Sequence, residues 1–405
     1  MYYIEKVHDD IYWVGVNDRR IQRFENMFPL SNGVAYNSYL IKDEKTVLMD
    51  SVDGNFVNQF LENVDAALDG RDLDYIVVQH MEPDHCGTIN FILDKYPNCK
   101  FVGNLKTFKF FEQFYSNKYT DRYVEIKEFD TLNTGKHNLK FLFAPMVHWP
   151  EVIMTYDLND KLLFSADAFG AFDVHQGNLS VKNKIDDPKW MDEARRYYIN
   201  IVGRQGRSVQ AVFKKLNSNG INEFNSIFSL HGPIFNDSHS ISVILDKYNL
   251  WSTYKPEEKG VVIVFSSMYG NMELFNDILA TKLADLGVEN IRMHDVSQTD
   301  FSYIIADLHK YSNAVLTAQN YNSELYPRMD ALLREANATG YSNRHISFLH
   351  TGTWGGKSLE YAQEILQNKN HTFIGEPVKI KSSAKKEDID SLYNLAKLIE
   401  EDINN

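Results

Sequence analysis

The sequence predicts two α/β domains in series, an αββα sandwich followed by a doubly wound parallel sheet. The 405 residues suffice for two or three domains, and 43% hydrophobic with 24% charged residues is ordinary globular composition. Short apolar or alternating strands dominate the first 253 residues, which favours a sandwich. Beyond residue 260, strands and helices alternate regularly, which is typical of a doubly wound sheet.

Residues 1–253 are predicted to form the first domain. Short runs with period-2 or apolar pattern predict strands, and longer stretches with a 3.6-residue period predict helices. The predicted strands include residues 38–41, 46–49, 75–78, 139–143, 161–165 and 226–230, and the predicted helices are residues 55–68 and 192–216.

Residues 254–260 are polar, contain Pro256 and Gly260, and are predicted to form a linker. Residues 261–405 are predicted to form the second domain, whose first helix has Phe275, Leu279 and Leu283 on one face. Its predicted strands are residues 261–265, 291–294, 314–318, 346–350 and 378–380, and its later helices are residues 301–310, 326–337, 359–367 and a last one from residue 388.

Charge and cysteine content narrow the function classes. Lys and Arg number 42 against 55 Asp and Glu, a formal net charge of −13 without a basic patch, so no nucleic acid partner is expected. The sequence predicts neither a signal peptide nor a membrane span, and we expect a cytoplasmic protein. Two cysteines, Cys86 and Cys99, are too few for a disulfide-built fold or for the four thiolates of an attached rubredoxin-type domain.

The most informative segment is HMEPDH at residues 80–85, directly after the apolar run 75–78. It holds four potential metal ligands: His80, Glu82, Asp84 and His85. Alternate residues of an extended loop can point the same way, and Pro83 holds Glu82 out of the helical region. Each residue alone would be explained by a polar turn that caps the next helix, but the four together predict a metal site.

Three further candidates, His148, Asp167 and His231, each lie where a predicted strand ends. Strand ends on one rim of a sandwich are where loops converge to build sites. On their own, the histidines would be partly buried structural residues and Asp167 a turn residue. Together the seven side chains offer four imidazoles and three carboxylates, an oxygen-rich set that suits oxidised iron, although intrinsic affinity does not reject zinc.

The pattern H-x-E-x-D-H, followed by His, Asp and His at long intervals, resembles the metallo-β-lactamase superfamily, in the branch of the flavodiiron proteins (A-type flavoproteins). The segments AYNSYLI at 35–41, HWP at 148–150 and FSADAFG at 164–170 resemble it as well, and the resemblance covers essentially the whole chain. Zinc-binding hydrolytic members have His where this chain has Glu82. The resemblance implies one iron held by His80, Glu82 and His148, a second held by Asp84, His85 and His231, and Asp167 as the bridge.

Two other residues have open roles. Glu25 occupies a place where several relatives carry histidine near the irons; a role in lining the pocket or supporting a ligand is one alternative, and a residue without a role in the site is the favoured one. His175 follows the Asp167 segment; lining the pocket is one alternative, and a surface position is the one we expect.

In the second domain, SSMYGNM at residues 266–272 lies between the first strand and its helix. Backbone N–H groups, hydroxyls and the positive helix end can bind a phosphate there, and Gly270 lets the backbone curl around the anion. A polar helix cap is the alternative. No G-x-G-x-x-G occurs, so direct NADH binding is not expected. The loop resembles the phosphate loop of flavodoxins, which implies FMN contacts from Ser266, Ser267, Met268, Tyr269, Gly270, Asn271 and Met272.

Two more loops follow the third and fourth strands and flank the switch point where flavodoxin-like folds hold FMN. Tyr321 and Trp354 either lie against the flavin ring or are core or lid aromatics. Relatives commonly have Ser-Pro-Thr where this chain has Ala-Gln-Asn at 318–320, and glycine where it has Thr353. The candidate contacts are Ala318, Gln319, Asn320, Tyr321, Asn322, Thr351, Gly352, Thr353, Trp354 and Gly355.

The resemblance implies an oxidoreductase that reduces dioxygen to water, nitric oxide to nitrous oxide, or both; the residues do not choose between the gases. FMN would take electrons from a separate donor, such as rubredoxin or a reduced deazaflavin, and pass them to the diiron centre. A head-to-tail homodimer or a dimer of dimers is implied, with the FMN of one chain facing the irons of another. Two alternatives are a binuclear zinc hydrolase with a flavodoxin-like partner domain and a non-enzymatic electron carrier or redox sensor.

Overall fold

The computed structural model describes residues 1–182, 184–367 and 369–405. They form two compact units, one of Met1–Tyr198 with Arg207–Asn249 and one of Ile199–Gly206 with Leu250–Asn405. Each unit has its own hydrophobic core. In the described residues, no helix combines the length and the apolar composition needed to cross a bilayer.

The first unit is built on two stacked sheets. The larger sheet has the strand order Glu5–His8, Ile11–Trp13, Tyr39–Lys42, Thr46–Met49, Tyr75–Val77, Lys100–Gly103, Tyr123–Glu125. The smaller sheet has the order Thr131–Asn133, Asn138–Phe143, Ile153–Asp157, Leu162–Phe164, Ser226–Phe228. Two short hairpin-like pairs accompany them, Val16–Asp18 with Val34–Tyr36 and Arg23–Phe24 with Phe28–Pro29.

The core between the sheets follows from side-chain alternation along the strands. Tyr39 belongs to the larger sheet, and its ring centre lies 4.9 Å from that of Phe228 in the smaller sheet. Phe164 stacks on Phe228 at 5.0 Å, and all three rings are almost fully buried. Burying an aromatic side chain stabilises the fold by roughly 1.5–3 kcal/mol. The outer face of the larger sheet contacts the helix Val57–Leu68, which buries Phe60 and Val64.

The prediction of two helical stretches before residue 253 is wrong in number. The helices are Val57–Leu68, Pro83–Cys86, Ile89–Lys95, Leu105–Phe114, Pro188–Tyr197, Gly206–Ser218 and Ser238–Ser252. The predicted helix at 192–216 is broken by a π turn at Tyr198–Val202 and a 3₁₀ turn at Gly203–Gln205. A β-carbon on Gly206 would lie 2.4 Å from the Ser252 carbonyl oxygen, so close backbone approach fixes glycine at this break.

The second unit is a doubly wound parallel sheet. Its strand order is Ile291–Asp295, Glu258–Phe265, Tyr311–Tyr321, His345–Thr351. Two short strands, Thr372–Phe373 and Val378–Ile380, both pair with His345–Thr351. The short strand Glu324–Leu325 pairs antiparallel with Tyr311–Tyr321. The helices are Asn271–Asp285, Phe301–Lys310, Pro327–Ala338, Ser358–Leu366 and Lys386–Asn404. Counted in chain order, the second long strand lies on one side of the first strand and the third lies on the other side, as in flavodoxin. The predicted fold class is confirmed.

A group of ion pairs ties the N-terminal hairpin of the first unit to the smaller sheet. His137 Nδ1 lies 2.8 Å from Asp157 Oδ2, and His137 Nε2 lies 3.0 Å from Asp10 Oδ1. Lys136 Nζ lies 3.1 Å from Asp10 and 2.9 Å from Asp160. His8 Nδ1 adds a contact of 3.4 Å to Asp10. Lys136 and His137 therefore offset the negative charge of these carboxylates.

We expect the contribution of His137 to stability to fall as the pH rises. Burial alone would lower its pKa, but the hydrogen bond and charge of Asp157, and then Asp10, raise the pKa above 6.5. When the pKa of a histidine is higher in the folded state than in the unfolded state, its protonation stabilises the fold. This stabilisation is complete at a pH below the unfolded-state pKa of about 6.5, and it is lost as the pH rises through the folded-state pKa.

The measurement compares urea midpoints of the wild type and His137→Gln. The wild-type advantage at pH 6 should exceed that at pH 9. An equal or larger advantage at pH 9 would show that the imidazolium form is not the one that stabilises the fold.

Candidate functional site

The HMEPDH segment changes conformation at its proline. The strand Tyr75–Val77 ends just before it, and Glu82 has extended dihedral angles (φ −70°, ψ 142°) as the N-cap of the short helix Pro83–Cys86. His80 and Glu82 therefore precede the helix, whereas Asp84 and His85 lie within it. The segment thus supplies one pair of side chains to each of two neighbouring groups.

The first group consists of His80, Glu82 and His148. His80 Nε2 lies 3.2 Å from Glu82 Oε2 and 3.4 Å from His148 Nε2, and His148 Nε2 lies 3.0 Å from Glu82 Oε2. Donors bound about 2.1 Å from one ion lie about 3.0 Å apart at right angles and about 3.4 Å apart at tetrahedral angles. The three side chains can therefore share one ion.

The second group consists of Asp84, His85 and His231. Asp84 Oδ2 lies 3.5 Å from His85 Nε2 and 3.3 Å from His231 Nε2. Both histidine side chains are fully buried. The spacing again matches donors that face a common ion.

Asp167 lies between the two groups and offers one carboxylate oxygen to each. Its Oδ2 lies 3.3 Å from His80 Nε2 and 3.1 Å from His148 Nε2. Its Oδ1 lies 3.1 Å from His85 Nε2 and 3.7 Å from His231 Nε2. This is the geometry of a carboxylate that bridges two ions, and the structure brings all seven sequence-predicted side chains together.

The charges of the cluster are mutually dependent. Burial would lower the pKa of His80, but Asp167 and the other carboxylates raise it well above its ordinary value. Burial would also lower the pKa of His148, but Asp167 and Glu82 outweigh burial and raise this pKa to about 9. Burial would raise the pKa of Asp167, but His85 and His80 hold it well below its usual range. A field that favours protonated imidazoles also favours metal cations in place of those protons.

The donor set fits a pair of metal ions. Within the described residues, both oxygens of Asp84, both oxygens of Asp167, the ring nitrogens of His85 and His231 Nε2 are buried without a hydrogen-bond partner. Buried polar atoms without partners are costly, so a ligand that satisfies all of them at once is required. Nitrogen and carboxylate donors suit iron, and the absence of thiolates from both groups distinguishes them from most structural zinc sites.

Sequence reasoning missed the groups behind the ligands. Glu151 Oε1 lies 2.8 Å from His80 Nδ1, and the Ala35 carbonyl oxygen lies 2.9 Å from His231 Nδ1. The buried hydroxyl of Tyr197 has no hydrogen-bond partner in the part of the chain that the structure describes, and its ring centre lies 5.6 Å from that of His231. No regular sequence spacing relates these residues to the candidate ligands, because a side chain that supports a ligand can come from any neighbouring segment.

The two residues with open roles lie in different settings. Glu25 contacts Glu82, and burial of its carboxyl group, followed by that contact, raises its pKa to about 8. The surface expectation for His175 is wrong: its side chain is buried, its Nε2 lies 2.9 Å from Asn37 Oδ1, and burial lowers its pKa to about 3. Asn37 Nδ2 in turn donates to the carbonyls of Ser229 and Gly232, so His175 supports the loop that carries His231.

The second unit has a cavity of about 290 Å³ at the carboxyl ends of its strands. Its lining residues come from the three predicted loops and one further position: Ser267, Met268, Tyr269, Asn271, Met272, Gln319, Asn320, Tyr321, Asn322, Thr351, Gly352, Thr353, Trp354 and Ser382. Ligand pockets start at roughly 300 Å³. Tyr269 and Trp354 are 89% and 77% exposed, which leaves aromatic faces available for a flat ring.

The phosphate loop has the features that anion binding requires. Gly270 has φ +83°, a conformation that favours glycine, and it is the N-cap of the helix Asn271–Asp285 without a side-chain cap. The first N–H groups of that helix are therefore free to bind an anion. Ser267 Oγ is buried there, and none of the described residues gives it a hydrogen-bond partner. These groups fit a phosphate ester.

Four candidate contacts do not line this cavity: Ser266, Gly270, Ala318 and Gly355. Ser266 is buried and its Oγ donates to Gln319 Oε1 at 3.0 Å, so it acts behind the lining. Ala318 is also buried and accepts a hydrogen bond from Ser358 through its carbonyl. Ser382 was missed, although it follows the strand Val378–Ile380 and the switch-point rule extends to that strand end.

Comparison with known proteins gives three results that agree. A family model described as ODP family beta lactamase matches residues 34–221. The anaerobic nitric oxide reductase flavorubredoxin of Vibrio vulnificus is 27% identical over 357 residues, which cover 87% of this chain and 71% of that protein. Rubredoxin oxygen:oxidoreductase from Desulfovibrio gigas matches 99% of both chains with a TM-score of 0.92 at 24% identity.

The flavodiiron protein from Giardia intestinalis also shares the fold, with a TM-score of 0.87 at 22% identity over 99% of this chain and 97% of that one. The sequence matches cover the metal-ligand segment and continue into the second unit. With both folds arranged in the same order along one chain, this chain is similar in sequence to the flavorubredoxins and in fold to the flavodiiron proteins.

Proposed function

We propose that the chain is an oxidoreductase that reduces dioxygen to water, nitric oxide to nitrous oxide, or both, at a diiron centre supplied with electrons by FMN. The observation that carries the proposal is Asp167, whose two oxygens face two separate groups of metal donors. The names of the similar proteins, a nitric oxide reductase and an oxygen oxidoreductase, support the same reaction class.

In this proposal residues 1–253 form the diiron domain, residues 254–260 the linker and residues 261–405 the FMN domain. Two irons and one FMN together supply the four electrons that complete reduction of dioxygen needs. His80, Glu82 and His148 would hold one iron, Asp84, His85 and His231 the other, and Asp167 would hold both at a fixed separation. The N-terminus of the helix Asn271–Asp285 would bind the FMN phosphate, and Tyr321 and Trp354 would cover the flavin ring.

The chain's own residues also prepare the metal site for its substrate. The metal-ligating side chains are at most 12–13% exposed, so the site is largely closed to bulk water. A dry site strengthens the electrostatic interactions inside it and limits the loss of partly reduced products.

A separate donor such as rubredoxin or a reduced deazaflavin would reduce the flavin, and we place the protein in the cytoplasm. The proposed assembly is a head-to-tail homodimer or a dimer of such dimers, which brings the FMN of one chain to the irons of another.

The binuclear zinc hydrolase is disfavoured by two observations. Glu82 stands where zinc-binding members have histidine, and the same chain carries a cavity with a phosphate-binding loop.

To test the proposal, consumption of dioxygen and of nitric oxide should be measured separately with one artificial electron donor and with the protein loaded with iron and FMN. Turnover of at least one gas at about 1 s⁻¹ or faster, the lower end of ordinary enzyme rates, is expected. Absence of turnover with both gases would contradict the proposal.

A further inference from the structure

The imidazoles of the metal site differ in what lies behind them. His80 Nδ1 is 2.8 Å from the carboxylate of Glu151. His231 Nδ1 is 2.9 Å from a neutral acceptor, the Ala35 carbonyl oxygen. His85 Nδ1 is buried, and no hydrogen-bond partner occurs for it among residues 1–182, 184–367 and 369–405. His80 is therefore supported by a carboxylate, whereas no charged group supports His85 or His231 in the described structure.

Glu151 is fixed in place around this contact. Its side chain is fully buried, and the same oxygen, Oε1, accepts a second hydrogen bond from the Met81 N–H at 2.9 Å. Its backbone carbonyl accepts from Asn104 Nδ2 at 2.7 Å. Its other oxygen, Oε2, has no partner in the described structure. The carboxylate is therefore held directly behind His80 rather than drawn away by another cation.

A carboxylate behind a metal-bound imidazole has two effects. It fixes the tautomer that leaves Nε2 free for the metal, and it makes that nitrogen a stronger electron donor. Hydrogen bonds to an ionised acceptor are roughly twice as strong as those to a neutral one, so the Ala35 carbonyl has a smaller effect on His231. Stronger donation favours metal binding and the more oxidised state of the metal.

We propose that Glu151 is a positioning residue that makes the two metal positions inequivalent. The ion held by His80, Glu82 and His148 is bound more tightly, and as iron is reduced at a lower potential, than the ion held by Asp84, His85 and His231. This inference rests on the proposed diiron centre.

The first test uses the wild type loaded with two irons and a ferrous-iron chelator under anaerobic conditions. One iron per chain should leave at least about tenfold faster than the other, since groups of this kind change metal affinity by roughly 10–100-fold. Release of both irons in one phase would overturn the inference. A wild type that cannot be loaded with two irons would instead refute the diiron centre itself.

The second test replaces Glu151 with glutamine, which keeps an oxygen acceptor of the same shape and removes the charge. The slowly released iron should now leave about tenfold faster, and its midpoint potential should rise. A tenfold change in a one-electron equilibrium is about 59 mV. Unchanged release and unchanged potential would overturn the assignment to Glu151.

Asp157→Asn is the matched control. Asp157 Oδ2 lies 2.8 Å from Nδ1 of a fully buried histidine, His137, so it forms the same kind of pair away from the metal ligands. Its variant should keep the wild-type release phases and potential, even if it lowers stability. Equal shifts in both variants would show that a general loss of stability, rather than the charge behind His80, is responsible.

Discussion

Replacing Asp167 with alanine should abolish turnover and leave FMN bound. The carboxylate faces both groups of metal donors, so its loss would remove a ligand from each ion of the proposed centre at once. Losing even a residue behind a ligand typically costs 10–100-fold in metal affinity or activity, so the loss here should exceed about 100-fold. Iron content, flavin content and gas consumption measured on one preparation check the result.

Asp186→Ala provides the comparison for this variant. Asp186 lies in the same unit, but its side chain is 75% exposed and pairs with an exposed histidine, His239, away from the metal donors. It should keep normal iron content and turnover. Normal iron content and full turnover in Asp167→Ala would show that the metal centre is wrongly assigned.

Replacing Gly270 with aspartate should release FMN. The new carboxylate would lie at the N-terminus of the helix Asn271–Asp285, beside the proposed phosphate position. Two like charges about 4 Å apart repel by about 4 kcal/mol near a protein surface, which corresponds to an affinity loss of more than about 100-fold. Flavin absorbance after gel filtration measures the loss.

Gly270→Asn separates charge from backbone strain. Asparagine matches aspartate in size and also tolerates the positive φ of this position, 83°. The asparagine variant should therefore keep most of its FMN. Full flavin occupancy in the aspartate variant would refute the phosphate loop, and equal loss in both variants would attribute the effect to strain.

Asp167→Ala and Gly270→Asp, both expected to be inactive, also test the proposed assembly when they are co-expressed. Each homodimer of a single variant lacks one half of every flavin–iron junction. A mixed head-to-tail dimer has one intact junction, and about half of randomly formed dimers are mixed, so roughly a quarter of wild-type activity should return. An inactive sample that contains verified mixed dimers would contradict electron transfer between chains.

The sequence was sufficient for the parts of the fold that have strong local patterns. The strand Thr46–Met49 and the helix Phe301–Lys310 have the bounds that periodicity predicts. The helix expected at 192–216 is instead interrupted at 198–205, and the close approach of Ser252 to Gly206 beside this break is a tertiary contact that no local pattern reveals.

The candidate site likewise contains residues that the sequence predicts and residues that it does not. Strand-end positions and a dense ligand motif were enough to predict that His148, Asp167 and His231 meet the 80–85 segment. Glu151 could not be found, because its role depends on a 2.8 Å contact with a residue 71 positions away. The burial of His175 escaped for a similar reason, since its partner Asn37 lies on a distant strand connection.

The central claim is that one chain holds both a diiron centre and FMN, and cofactor analysis of the purified protein tests it most directly. After loading with ferrous iron and FMN, and removal of unbound cofactors, metal analysis and the visible spectrum should give two irons and one FMN per chain. Retention of two irons in competition with an equal amount of zinc would strengthen the assignment. A colourless protein with two zinc ions per chain and no flavin would contradict the account.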